Sequence, residues 1–249
     1  MQDYVDYSNY KLSRKEEVKC FGIAIVLSVF SSWILYQSFF GMLLFIVIFP
    51  LYRKSYKEKQ KELRKQKLLL EFKEAMQSVS VSLLSGYSIE NAWQEAELEM
   101  IELYGTQGYI AKEIKLMNGK VQMNQSIEEL LYQFALRSSC EEILEFAEIF
   151  RFAKRSGGNF AKIIQNTMFH IGEKIETERE IQIMIAGKKM EQKIMNIVPA
   201  VLLVYLNLTS EEFLAPLYGN ILGIGVMTIA FFAYLGAVLL AQKITNIKL

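Results

Sequence analysis

The 249-residue sequence holds one histidine, two cysteines and three prolines, and each scarcity excludes something. A lone His170 cannot build a His-based metal site, and it has no evident partners for a hydrolase triad. Cys20 opens an apolar block and Cys140 lies deep in a polar region, so a bridge between them would join different compartments. They read as unpaired thiols in a reduced cytosol. No GxxxxGK[ST] pattern is present, so any nucleotide-driven work must be done elsewhere. An excess of either charge is lacking too: 28 Lys+Arg face 27 Asp+Glu. That balance argues against a nucleic-acid partner.

Long apolar runs, in contrast, are plentiful. No charged residue occurs from Cys20 to Tyr52, a stretch that as one helix would be roughly 50 Å long, well beyond the ~30 Å of bilayer hydrocarbon. A break at Tyr36 to Gly41 divides it into two short spans. Lys11, Arg14, Lys15 and Lys19 precede the block, and eight basic residues from Arg53 to Lys67 follow it. The positive-inside rule then sets both flanks in the cytoplasm, which only a hairpin permits. A second apolar region runs from Ile194 to Ser210, and a third from Phe213 to Gln242, separated by Glu211 and Glu212. The fold class expected is therefore an all-α membrane protein. It has four transmembrane helices, with a cytoplasmic antiparallel helical bundle between the second and third. The expected domains are 1–52 (N-terminus and first hairpin), 53–192 (bundle) and 193–249 (last two spans and tail). Both termini and the bundle face the cytoplasm of a bacterial or archaeal cell, and the first block is too long for a cleavable signal peptide.

No proline interrupts Arg53 to Lys193, and apolar residues recur at spacings of three and four, as in Leu68, Phe72, Ala75, Met76, Val79 and Leu83. Such spacing is helical. Turns are expected where a glycine meets a capping residue: Gly86 with Ser88, and Gly157 and Gly158 with Asn159. Ser126 and Glu129 fit a capping box. Ser85 to Gln94 lines up with Ser156 to Gln165, and Glu71 and Glu74 with Glu142 and Glu145, as if two related helical hairpins made up the bundle. A Gly-Gly phosphate cradle is the weaker reading, because no strand precedes it.

Candidate interaction residues are few. Glu141, Glu145, Glu148, Arg151 and Arg155 form a charged helical face that reads either as a partner surface or as simple solvation. The apolar runs contain no Asp, Glu, Lys, Arg or His, which disfavours a pump or proton-coupled transporter. Their polar and special residues, Asn196, Pro199, Asn207, Pro216, Gly219 and Gly223, read as helix-packing elements. Asn196 and Asn207 lie three turns apart, and Gly219 with Gly223 makes a GxxxG.

The sequence Phe72-Lys-Glu-Ala-Met, the Leu83-Leu-Ser-Gly-Tyr-Ser-Ile89 turn, Arg155-Ser-Gly-Gly-Asn-Phe160, the basic stretch into Pro199, and the run Phe213 to Gly223 followed by Gly236 and Lys243-Ile244 occur in that order. In these features the chain resembles the type II secretion system F family over roughly residues 70 to 249. That family comprises inner-membrane platform proteins of type II secretion, type IV pilus and Tad (tight adherence) machines, and the single bundle is similar to the Tad branch. The resemblance implies a non-enzymatic role with no cofactor. The bundle would contact a separate hexameric secretion ATPase, while the spans contact pilin subunits, a second platform protein or another copy, and the lipid bilayer. A long helix from Phe160 through Lys193 into the third span would serve as a lever. Two other classes share parts of the pattern: a stator-like four-span motor subunit, and a membrane enzyme or transporter with no assignable residues.

Overall fold

Apolar side chains spaced three and four apart force the middle of the chain into amphipathic helices that bury one stripe each. The computed structural model describes residues 6–36, 45–156, 159–209, 217–218 and 220–245. Among these the structure is all-helical, with eight helices: α1 (Arg14–Tyr36), α2 (Phe45–Leu84), α3 (Ile89–Tyr104), α4 (Tyr109–Val121), α5 (Ile127–Ser138), α6 (Glu141–Ser156), α7 (Phe160–Thr209) and α8 (Ile221–Thr245). The chain divides into two compact units. One is the bundle, Lys57–Glu176 together with the N-terminal residues up to Lys11; the other comprises Leu12–Tyr56 and Thr177–Leu249. Residues 6–11 thus group with the bundle in this division.

The bundle core is aromatic and aliphatic. Phe72 meets Phe146 edge-on at 5.4 Å, Trp93 meets Phe150 at 6.2 Å, and Phe150 meets Phe160 at 5.2 Å. All but Phe160 are fully buried, and each contributes about 1.5–3 kcal/mol through burial. The repeat seen in the sequence extends to packing. Glu71, Phe72, Ala75, Met76 and Val79 on α2 are buried, and so are Glu142, Ile143, Phe146, Ala147 and Phe150, each 71 positions later on α6. Trp93, Ala96 and Met100 on α3 correspond in the same way to buried Ile164, Thr167 and Ile171 on α7.

The two related turns use the same hydrogen bonds. Ser85 Oγ donates to the Val81 carbonyl and Ser156 Oγ to that of Phe152. Ser88 then accepts the Asn91 amide at 3.2 Å, and Asn159 the Lys162 amide at 3.3 Å, so each caps the next helix. Gly86 has φ of +89°, the left-handed region in which a side chain would be strained. The expected capping box at Ser126 does not form. Ser126 holds the N-cap backbone geometry, but its hydroxyl makes no capping bond, and Glu129 accepts from Gln133 one turn on instead.

In the second unit α1 and the start of α2 run antiparallel. Glu17 pairs with Arg53 at 2.7 Å, and Phe21 stacks edge-on against Phe45 and Phe49. Two helices among the described residues are long and apolar enough to cross a membrane: α7, and α8 over Leu222–Ala241. Helix α7 continues for 50 residues through Gly172, Gly187 and Pro199.

Candidate interaction face

Helix α6 separates its two faces cleanly. Glu142, Ile143, Phe146, Ala147, Phe150 and Ala153 point into the core, while Glu141, Glu145, Glu148, Phe152 and Arg155 are exposed. Their intervals of four, three, four and three residues align them as one straight stripe along the helix. Acids at its start and Arg155 at its end suit the helix dipole, which accounts for their order. It does not account for Phe152, whose ring is 71% exposed in the middle of that stripe. An exposed aromatic set among charges makes Phe152 a candidate contact residue. Arg151 flanks the stripe half-buried, with its guanidinium 4.6 Å above the Tyr132 ring. Lys154 and Glu142 are drawn off it: Lys154 pairs with Glu128 at 2.6 Å, and Glu142 with Lys174 on α7 at 3.1 Å. Burial alone would raise the Glu128 carboxyl, but the Lys154 hydrogen bond, its own backbone amide, and the charges of Lys154 and Arg155 bring it below its ordinary value. The hydrogen bond to Glu142 raises the Lys174 ammonium.

A second cluster lies among α2, α4 and α5. Tyr7, ahead of α1, is buried against Tyr109 and Phe134, both edge-on at 6.1 and 6.4 Å. Its hydroxyl donates to Glu113 Oε1 at 3.2 Å, and Arg137 grips both oxygens of that carboxylate at 3.3 and 2.8 Å. Glu113 is only 2% exposed. Burial pushes the Tyr7 phenol far above its usual value, and the adjacent Glu113 charge pushes it further, so the group stays a donor. His170, the residue least suited to chemistry on sequence grounds, is exposed and lies 3.5 Å from Glu173.

In the apolar unit, Asn207 donates its amide to Tyr218 Oη at 2.9 Å, and the Asn196 carbonyl accepts the Tyr234 hydroxyl. Pro199 sits within α7. Gly223 lies at the start of α8, where an added Cβ would meet the Leu217 carbonyl oxygen at 2.4 Å. Its role in the described residues is thus to let the preceding turn approach. Gly157, Gly158, Pro216 and Gly219, the break expected after Tyr36, and the Glu211-Glu212 connector lie outside the described residues.

The chain matches no family model, no curated protein and no solved structure.

Several residues with a structural claim to function were not singled out in the sequence. Phe152 carried a readable signal, since it stands four residues after Glu148 and seven after Glu145, on the charged side of an otherwise segregated helix. Glu113 and Tyr7 carried none: they are 106 positions apart, and nothing local distinguishes a glutamate buried against an arginine from one facing water.

Proposed function

We propose that this protein is a multi-pass platform of a Tad-like or related pilus or secretion machine. It lacks catalysis of its own and passes the motion of a separate cytoplasmic ATPase to pilin subunits in the bilayer. The observation that carries this reading is the α6 stripe, an aromatic side chain set among charges and left uncovered by the other described residues. Helix α7 adds support, because one unbroken helix includes both core residues of the bundle, such as Ile164 and Ile171, and the apolar stretch ending at Thr209. Moving a pilin's apolar segment against lipid calls for a stiff connection, and a continuous helix is one.

A contact within the bundle unit supports the reading of four spans with an interior bundle. Tyr7 precedes α1 and packs on helices that follow α2. Chain segments in direct contact share one side of a membrane, so an even number of crossings separates them, and the antiparallel α1 and α2 pair supplies two. With α7 and α8 the count is four, and basic flanks keep the bundle in the cytoplasm. Reporter fusions near Tyr104 test this topology; an exterior signal would end the proposal.

The partner reading is tested by pull-down of the secretion ATPase produced by the same cell. Phe152→Ala should weaken capture at least tenfold, and reversal of Glu141, Glu145 and Glu148 to lysine should abolish it. Undiminished capture by both variants, with piliation intact, would remove the stripe from the mechanism. A proline introduced as Ile181→Pro should stop pilus assembly while leaving ATPase capture unchanged; normal piliation would remove the lever.

A further inference from the structure

We infer that residues 6–11 form a releasable clasp, with Tyr7 as its bolt, that docks in a preformed tyrosine-binding cleft of the helical bundle. The segment is held by groups from three helices. The Tyr7 amide donates to the Arg137 carbonyl at 3.2 Å, and its hydroxyl to Glu113. Arg64 on α2 donates to the carbonyls of Asp6 and Asn9 at 3.0 and 3.3 Å, and lies over the rings of both Tyr7 and Tyr10 at 5.2 and 5.4 Å. Asp6 turns back on Ser8, whose amide and hydroxyl both donate to it, fixing the bend that directs Tyr7 inward.

Release is feasible because the cleft does not depend on its occupant for polar satisfaction. Glu113 keeps both bonds to Arg137 when Tyr7 leaves, so no buried charge is orphaned. Arg64 is half-buried, so its guanidinium gains access to water when the segment leaves. What is lost is the burial of one aromatic ring, its hydrogen bond to a carboxylate, the Tyr7 amide bond to Arg137, and the Arg64 contacts with Asp6, Asn9 and the two tyrosine rings, still a small part of a core of more than two dozen apolar side chains. Local opening at such a site is therefore expected well below the cost of unfolding the bundle.

The clasp also has little slack. Ser13 accepts the amides of Glu16 and Glu17 through its carbonyl and donates its own amide to Glu16 Oε2 at 2.8 Å, so α1 is capped two residues after Lys11. Released, the segment leaves a pocket walled by Tyr109 and Phe134 and floored by Glu113. The inference holds whether or not the protein is a secretion platform.

Hydrogen exchange on the full chain in lipid nanodiscs tests it, read at the amides of residues 6–11 and at core amides of α4 and α6. The Tyr7 amide should exchange more slowly than in a free peptide of the same sequence, yet faster than the core. Tyr7→Phe, which keeps the ring, should speed exchange at 6–11 roughly tenfold to a hundredfold, from the loss of a hydrogen bond to a charged acceptor. Core amides should not change. Exchange at the free-peptide rate in the wild type would show that nothing is docked. Exchange locked to the core rate, or a Tyr7→Phe effect that is absent or spreads equally to the core, would show a fixed core element rather than a clasp.

Discussion

Glu71 on α2 reaches across the bundle to accept the backbone amide of Ile110, the second residue of α4, at 2.9 Å. Helix α4 begins after Gly108, which has no side chain with which to cap it. A carboxylate from another helix supplies the missing acceptor, and its charge suits the positive end of the helix. Glu71 is 1% exposed, and its other oxygen makes no hydrogen bond among the described residues.

Substitution separates these contributions. Glu71→Ala removes the acceptor and should cost about 2 kcal/mol. Glu71→Gln keeps an acceptor oxygen and should cost less. Urea unfolding followed through Trp93 fluorescence measures both, and equal losses would mean that the amide bond contributes nothing.

The Glu113 carboxylate depends on Arg137 more than on Tyr7. Arg137→Ala leaves an almost fully buried charge with a single neutral donor, and should destabilise the bundle by about 3 kcal/mol. Glu113→Gln, which removes the charge but keeps the shape, should cost closer to 1 kcal/mol. The same unfolding experiment ranks them; a smaller loss for Arg137→Ala than for Glu113→Gln would contradict the assigned pairing.

The helices, their turns and the repeat between α2–α3 and α6–α7 were legible in the sequence because they depend on local spacing. Buried positions 71 residues apart coincide since the same three- and four-residue interval decides them in both hairpins. Ser88 was readable as a cap because the amide it accepts lies three residues away. Ser126 shows the limit: the pattern was present, but Glu129 found Gln133 on its own helix and the box did not close. The clasp was invisible because it joins Tyr7 to α4, α5 and α2 across 57 to 130 positions, and burial of an isolated tyrosine in a polar N-terminal stretch is decided by tertiary packing alone. Glu71 and Glu142 matched in sequence, but that both are buried, one as a cap and one as a partner of Lys174, required the fold.

Cys140 connects burial to pH. It sits 8% exposed at the α5–α6 corner, and burial is the main cause that pushes its thiol up from 9.0 to about 11. A raised folded value means that the folded state favours the protonated thiol. The associated stability is fully present below pH 9 and is lost as pH climbs from 9 to about 11, by about 2–3 kcal/mol. Unfolding free energies measured between pH 8.5 and 11 should fall more steeply for the wild type than for Cys140→Ala. Parallel curves would show that the thiol is not titrating in a buried site. At pH 8 the folded protein should also react with a thiol reagent at Cys140 far more slowly than the unfolded chain does.

Phe150 and Phe152 are two positions apart on α6 and should respond oppositely to the same change. Phe150 is fully buried between Trp93, Phe146 and Phe160, so truncation to alanine opens a cavity and should cost about 3–5 kcal/mol. Phe152 touches water instead of core, and its truncation should change stability by no more than about 0.5 kcal/mol. If the stripe binds a partner, the order reverses in a capture assay with folded protein. Phe152→Ala then loses binding at full stability, while a milder core variant, Phe150→Leu, keeps binding at reduced stability. The crossed result is informative because a general weakening of the bundle would lower both readouts together. Phe152→Ala destabilising as much as Phe150→Ala would mean that its ring is covered within the protein itself, and the stripe would no longer offer an aromatic anchor.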